Sequence, residues 1–168
     1  MAQNLKFIHL ASEFTRPANT TAYGTNKVVS DGATTTLNCI RVDGQSTYPL
    51  TVGASYQVKS VALCVNSSGT TNASFDVYLY TSGVTAIADA GSFQLSYNNK
   101  HIRIGKTTVT LATADTNSVA AEGVNTDVNH VFKAETSTLS FFVVTTAAYT
   151  PTSASKWFLE VELLRIDE

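Results

Sequence analysis

The chain has 168 residues, of which 43% are hydrophobic and only 14% charged, and its net charge is -2. That length fits one domain, residues 1–168, with a substantial core. The eleven basic residues are scattered, which excludes the basic stripe that neutralising a nucleic-acid backbone requires, and no apolar run is long enough to span a bilayer.

Thr supplies about one residue in seven, and Val, Tyr and Phe are plentiful. β-branched and aromatic side chains suit a pleated, half-buried surface, whereas Lys, Glu and Leu are too sparse here for many amphipathic helices. The expected class is all-β. The first thirty residues lack the basic-then-apolar pattern of a signal peptide, so use without export is expected.

In chain order, Leu5 to Leu10 reads as a short strand. The Ser12–Tyr23 segment follows, and Pro17 marks it as an edge, an arm or a loop. Residues 1–23 are therefore expected to form a strand and arm that reach a partner, with Arg16, Pro17 and Tyr23 as contacts. Lys27–Ser30 is a weak strand before Asp31-Gly32. Thr35–Val42 alternates and ends at Asp43-Gly44. Tyr56–Val65 is long and apolar on both faces near its end, the pattern of a strand covered on both sides or lying against another subunit.

Ala73–Tyr80 is the clearest strand of the chain. Phe75, Val77 and Leu79 point one way, while Ser74, Asp76, Tyr78 and Tyr80 point the other. The polar turn Asn66–Asn72 before it reads as the bend of an antiparallel hairpin with Tyr56–Val65. Ala86–Ser92 is a loop or a single helical turn. His101–Gly105 and Thr107–Thr113 are expected as strands either side of Gly105-Lys106. Ala114–Asn125 reads as a long surface excursion, and Asn129–Ala134 as a further strand. Leu139–Thr145 is almost continuously apolar and is expected to be central. Trp157–Ile166 closes the chain with Trp157, Leu159, Val161 and Leu163 on one side. The total is about eight to ten strands in an antiparallel sandwich or barrel.

Chemistry is sparse. His9, His101 and His130 lie far apart, and no pair has metal-ligand spacing. There is no nucleophile elbow and no phosphate-binding glycine loop. Asp115-x-Asn117 opens like a calcium loop, but the glycine and distal acid that should follow are out of register. Cys39 and Cys64 are expected as buried, unpaired thiols; a disulfide requires their strands to be neighbours. No catalytic, cofactor or metal residue is expected. Tyr78 and Tyr80, flat rings with polar tips, suit stacking on sugars, contact with a partner subunit, or simply a plain exposed strand face.

Four stretches resemble, in the same order, a family of small structural proteins of tailed bacteriophages. They are FTRPANTTAY (Phe14 to Tyr23), FDVYLYTSG (Phe75 to Gly83), ADAGSFQLSY (Ala88 to Tyr97) and AAYTPTSASKWFLEVELL (Ala147 to Leu164). The resemblance implies a jelly-roll-like β-sandwich that is made in the host cytoplasm and becomes part of the virion, as a minor structural or capsid decoration protein. It offers no catalytic residues. The chain departs from the family pattern after Thr113, as far as Asn129. The expectation is a non-enzymatic homo-oligomer, a trimer, docked on the phage major capsid protein or other virion proteins, with no nucleic-acid or membrane partner. The alternative is a receptor- or carbohydrate-binding module of a head fibre or tail. The apolar faces of Tyr56–Val65 and Leu139–Thr145 and the low charge point the same way, towards association.

Overall fold

The computed structural model describes residues 7–32, 38–41 (the backbone), 50–67, 72–94, 96–113 and 120–167. Eleven strands lie among them: β1 Phe7–Thr15, β2 Val28–Val29, β3 Asn38–Arg41, β4 Ser55–Val65, β5 Ser74–Tyr80, β6 Arg103–Thr110, β7 Ala112–Thr113, β8 Ala121–Asn125, β9 Val131–Lys133, β10 Leu139–Thr145 and β11 Lys156–Arg165. All pairings are antiparallel. One sheet runs β7-β8-β4-β11-β1-β3, with β9 beside the other end of β4. The second runs β6-β5-β10, with β2 and β3 beside β10. β3 pairs with β1 in the first sheet and β10 in the second, and so forms a corner of the sandwich. The antiparallel all-β sandwich expected from composition and alternation is the observed class.

The core follows the period of two. Val61, Leu63 and Val65 of β4, Phe75, Val77 and Leu79 of β5, and Trp157, Leu159, Val161 and Leu163 of β11 are all buried in one cluster between the sheets. Trp157 anchors it, stacked on Phe14 with centroids 6.2 Å apart and meeting the edge of Phe75 at 5.0 Å. Such pairs add about 0.5–1.5 kcal/mol each beyond the area they bury.

Several elements differ from the sequence reading. β4 and β5 are not a hairpin. β4 is flanked by β11, β8 and β9, while β5 lies in the opposite sheet between β10 and β6. Their apolar faces thus meet across the core rather than side by side. A short polar connection can span the roughly 10 Å between packed sheets as readily as it can turn a hairpin. Gly105 and Lys106 do not break a strand but lie inside β6. Gly105 lacks a side chain because the His130 ring occupies its place; an added Cβ would sit 2.3 Å from it.

The expected excursion Ala114–Asn125 contains β8, which pairs with β4 from Ala121 to Asn125. Gly123 lets β8 pass close to the other sheet, because a Cβ there would lie 2.2 Å from the Thr110 carbonyl oxygen. The Asn125 side chain donates to the Thr108 carbonyl at 3.1 Å, capping one acceptor on the β6 edge. Ala86–Ser92 is irregular, and the helical turn among the described residues is a 3-10 turn at Tyr97–Asn99.

β1 is longer than expected and central, lying between β11 and β3 with its register running from Phe7↔Leu164 to Thr15↔Lys156. Residues 7–23 are therefore part of the sandwich rather than a detachable arm. β10 is buried along its whole length. Leu139, Phe141 and Val143 face the main core. Phe142 and Val144 face a second cluster with Val28, Tyr80, Val84, Phe93 and Ile102, in which the chain after β5 folds back over the outer face of its own sheet. The apolar second face of β10 is thus covered by its own chain. The second face of β4 is not: Ala62 and Cys64 remain half-exposed.

Candidate functional site

Arg16, Pro17, Tyr23, Tyr78 and Tyr80 were the residues expected at a partner surface. The structure buries three of them, Arg16, Tyr23 and Tyr80, and half-buries Pro17 and Tyr78. The Arg16 side chain is 0% exposed and pairs with Asp89, itself 6% exposed, through Nη2 to Oδ2 at 3.0 Å. Its Nε donates to the Tyr23 hydroxyl at 2.6 Å, and Nη1 donates to the Thr152 carbonyl at 3.1 Å. Longer bonds reach the Asn19 carbonyl at 3.5 Å and its side-chain oxygen at 3.4 Å. The guanidinium also lies over the Tyr23 ring, 4.9 Å from its centroid. Nearly every donor of the fork is used, which is what burying a guanidinium demands.

Asp89 completes the knot. Its Oδ1 accepts from the Tyr23 hydroxyl and from the Ser30 backbone amide. A tight turn presents it: Ala90 holds a left-handed φ of 60°, its amide donates to Val28 O at 2.9 Å, and Gly91 donates to Ala88 O at 2.9 Å. Burial, and then the bond to Asp89, push the Tyr23 hydroxyl far above the ordinary tyrosine range. Burial alone would lower the Arg16 guanidinium, but its bonds to Tyr23 and Asp89 outweigh that and raise it. Tyr149 stacks on Tyr23 with centroids 5.1 Å apart, and its buried hydroxyl has no hydrogen-bond partner among the described residues. The cluster ties together the chain at 16–23, 30, 89 and 149–152, and its role is architectural.

Pro17 is half-buried, with its ring Cγ 2.8 Å from where a Gly32 Cβ would lie. Tyr80 is buried, edge-on to Phe142 at 5.8 Å, and burial raises its hydroxyl to about 12. Tyr78 is half-buried against Phe93, with centroids 4.4 Å apart. The outward face of β5 is therefore covered by the 81–102 segment at Tyr80 and in part at Tyr78, while Ser74 and Asp76 stay half-exposed. Alternation along β5 showed which way these tyrosines point but not what lay over them. Asp89 was missed: a lone carboxylate among small residues gives no periodic signal.

The open surface lies on the other sheet. Strand register lines up outward rows across it: Phe158, Cys64, Glu122 and Ala112 in one, Glu160, Ala62 and Val124 in the next. Phe158 is 41% exposed and Val124 61%, and the rows enclose a shallow depression of about 570 Å³. Its centre is apolar and its border carboxylate-rich: Glu13 and Phe158 are neighbours across β1 and β11, and His9 meets Glu160 at 3.0 Å. Cys64 is a free thiol on this face, half-exposed rather than fully buried as expected, and burial followed by Glu122 raises it. The Cys39 side chain lies outside the described residues. The backbones of β3 and β4 are separated by β1 and β11, about 14 Å at ordinary strand spacing, too far for a disulfide.

Among the described residues no group of three or more His, Cys, Asp or Glu side chains is placed to hold a metal ion. No helix among them is long and apolar enough to cross a membrane. No protein-family model and no curated protein matches the chain.

Solved structures give weak likenesses. The K1 cleaved adhesin domain of Lys-gingipain from Porphyromonas gingivalis W83 aligns over 100% of this chain and 94% of its own, at TM-score 0.37 and 10% identity. The PRD1 vertex protein P5 aligns over 95% and 97%, at TM-score 0.35 and 9% identity. The Desmodium yellow mottle tymovirus structure aligns over 98% and 89%, at TM-score 0.31 and 14% identity. Likeness at this level assigns no function.

Proposed function

We propose that the chain is a non-enzymatic virion structural protein, a capsid decoration protein that binds the head shell of a tailed bacteriophage as a homo-oligomer, a trimer. The family resemblance of the sequence supplies the class. The observation that carries the reading is the outer face of β8-β4-β11, where Ala62, Cys64, Val124 and Phe158 stay open within a carboxylate border. An apolar centre with a charged rim is the anatomy of a protein interface. The rim is charged with both signs, Glu13 lying 3.8 Å from Lys156 and Glu160 3.0 Å from His9, and asks for a shell surface that is apolar at its centre and polar around it. For the glycan-module alternative, Tyr80 is buried and Tyr78 half-buried against Phe93, which leaves the loop tips as its surface.

The test is a shell-binding assay with purified protein. Light scattering on the free protein should give about three times the 17.9 kDa chain mass. Phe158→Ser and Val124→Ser, both on exposed side chains, should keep the fold and weaken shell binding. A monomer that ignores shells, or shell binding indifferent to both substitutions, would sink the reading.

A further inference from the structure

On the opposite side of the molecule from β4, the loop that covers β5 and β10 carries an exposed aromatic among uncompensated cations. Tyr97 is 84% exposed, the most open large apolar side chain among the described residues. Lys100 Nζ lies 6.0 Å from its ring centroid. With Ser96, Asn99 and Arg103 these residues line a depression of about 220 Å³. A second depression of about 300 Å³ shares Ser96 and Asn99 with it and adds the side-chain amides of Gln94 and Asn98. Together the two reach the size of a small-molecule site. Neither Lys100 nor Arg103 has an ion-pair partner among the described residues.

Arg103 is there because of a bulge. β6 pairs Gly105 with Leu79 and Arg103 with Tyr80, leaving Ile104 as an extra residue. Strict alternation from Gly105 would put residue 103 on the core face. The one-residue slip moves it to the outer face beside Tyr80, while Ile104 packs on the core. Bulges that re-aim a side chain are common beside binding sites.

We propose that Tyr97, Lys100 and Arg103, with the amides of Gln94, Asn98 and Asn99, form a subsite for a carboxylate-bearing oligosaccharide. The exposed ring is a platform for the apolar face of a sugar. Amides both donate to and accept from sugar hydroxyls, and the guanidinium pairs with a carboxylate by two parallel bonds. A simple anion would need only the cations, and a neutral sugar only the ring and amides. This site does not depend on the decoration reading, and it uses none of the residues of the β8-β4-β11 face.

Titration of the full-length protein followed by calorimetry and backbone-amide shifts would test it. The probes are a galacturonate trisaccharide and sialyl-lactose, with galactotriose and lactose as neutral counterparts, inorganic sulfate, and an oligothymidylate. At least one acidic saccharide should saturate and move amides within 96–103, with its neutral counterpart about tenfold weaker. Tyr97→Ala and Arg103→Gln should each weaken it about tenfold or more. Phe158→Ser should leave it unchanged, which separates this site from shell docking.

Failure of both acidic saccharides at about millimolar concentration would overturn the proposal, as would shifts confined to another surface. Sulfate binding as tightly as the saccharide and indifferent to Tyr97→Ala would reduce the site to an anion contact and overturn it. Tighter binding of oligothymidylate would reassign the surface to single-stranded nucleic acid.

Discussion

Asp89→Ala is the perturbation that most directly probes what holds the sandwich together. The carboxylate receives Arg16 Nη2 at 3.0 Å, the Ser30 amide at 3.0 Å and the Tyr23 hydroxyl. Removing it leaves the Arg16 guanidinium, fully buried, bonded only to neutral oxygens from Tyr23, Asn19 and Thr152. Deleting one member of a buried pair costs about 3–5 kcal/mol, most of it for the charge left behind. At about 2–4 °C per kcal/mol for a chain of this size, the melting temperature should fall by roughly 6–20 °C.

Urea unfolding and calorimetry on Asp89→Ala, Arg16→Met and the double variant Arg16→Met with Asp89→Ala complete a cycle. The double variant should recover much of the loss, because an apolar replacement of a whole buried pair is often neutral or stabilising. High salt should change the Asp89→Ala loss little, since a buried pair is poorly screened. A loss of no more than about 1 kcal/mol, the level of an exposed pair, would refute the reasoning. So would a double variant that loses the sum of the two singles.

Tyr149→Phe removes a buried hydroxyl that lacks a partner among the described residues and should be neutral or stabilising by up to about 1 kcal/mol, whereas Tyr23→Phe, which breaks two bonds, should destabilise; urea midpoints compare them. Gly123→Ala should cost about 1–3 kcal/mol through a clash with the Thr110 carbonyl, read as a lower unfolding midpoint without loss of strand signal in circular dichroism. Alkali should destabilise the fold through its buried tyrosines. Tyr80 titrates near 12 when folded against about 10 when unfolded, so its contribution is complete below about pH 10 and is lost as pH rises towards about 12, with Tyr23 and Tyr149 extending the loss further. Urea titrations across that window should show stability falling by at most about 1.4 kcal/mol per pH unit for each tyrosine, and a flat profile would contradict their burial.

Strand positions were legible wherever one face was apolar and the other polar, as in β5 and β11, because the period of two is set by local backbone geometry. Partnering was not. Tyr56–Val65 and Ala73–Tyr80 carry the same signal whether they pair side by side or face each other across a core, and only the whole topology decides. The doubly apolar Leu139–Thr145 shows the same limit. Its pattern says that both faces are covered, but not that Phe93 and Ile102 of the same chain do the covering. Ala121–Asn125 was hidden because Gly123 and small neighbours look like loop sequence, although it is the closeness of Thr110 that demands them. Arg16 beside Pro17 looked like a surface arm because arginine is seldom fully buried, and its partner Asp89 lies far along the chain.

Three of the four stretches that carry the resemblance meet in the buried knot. RPANTTAY supplies Arg16, Asn19 and Tyr23, ADAGS supplies Asp89, and AAYTPTS supplies Tyr149 and Thr152. Their unusual residue combinations are explained by the demand that a buried guanidinium and its counter-ion be satisfied on every side. At these positions they report how the sandwich is closed. Of the open face on the first sheet, Ala62, Cys64 and Val124 fall outside those stretches, and Phe158 lies within one only as an outward residue of β11. Substitutions that break the knot, such as Asp89→Ala, should destabilise the protein and weaken shell binding and saccharide binding alike. Substitutions at Phe158 and at Tyr97 should separate the two, because each sits on a folded surface whose support lies elsewhere.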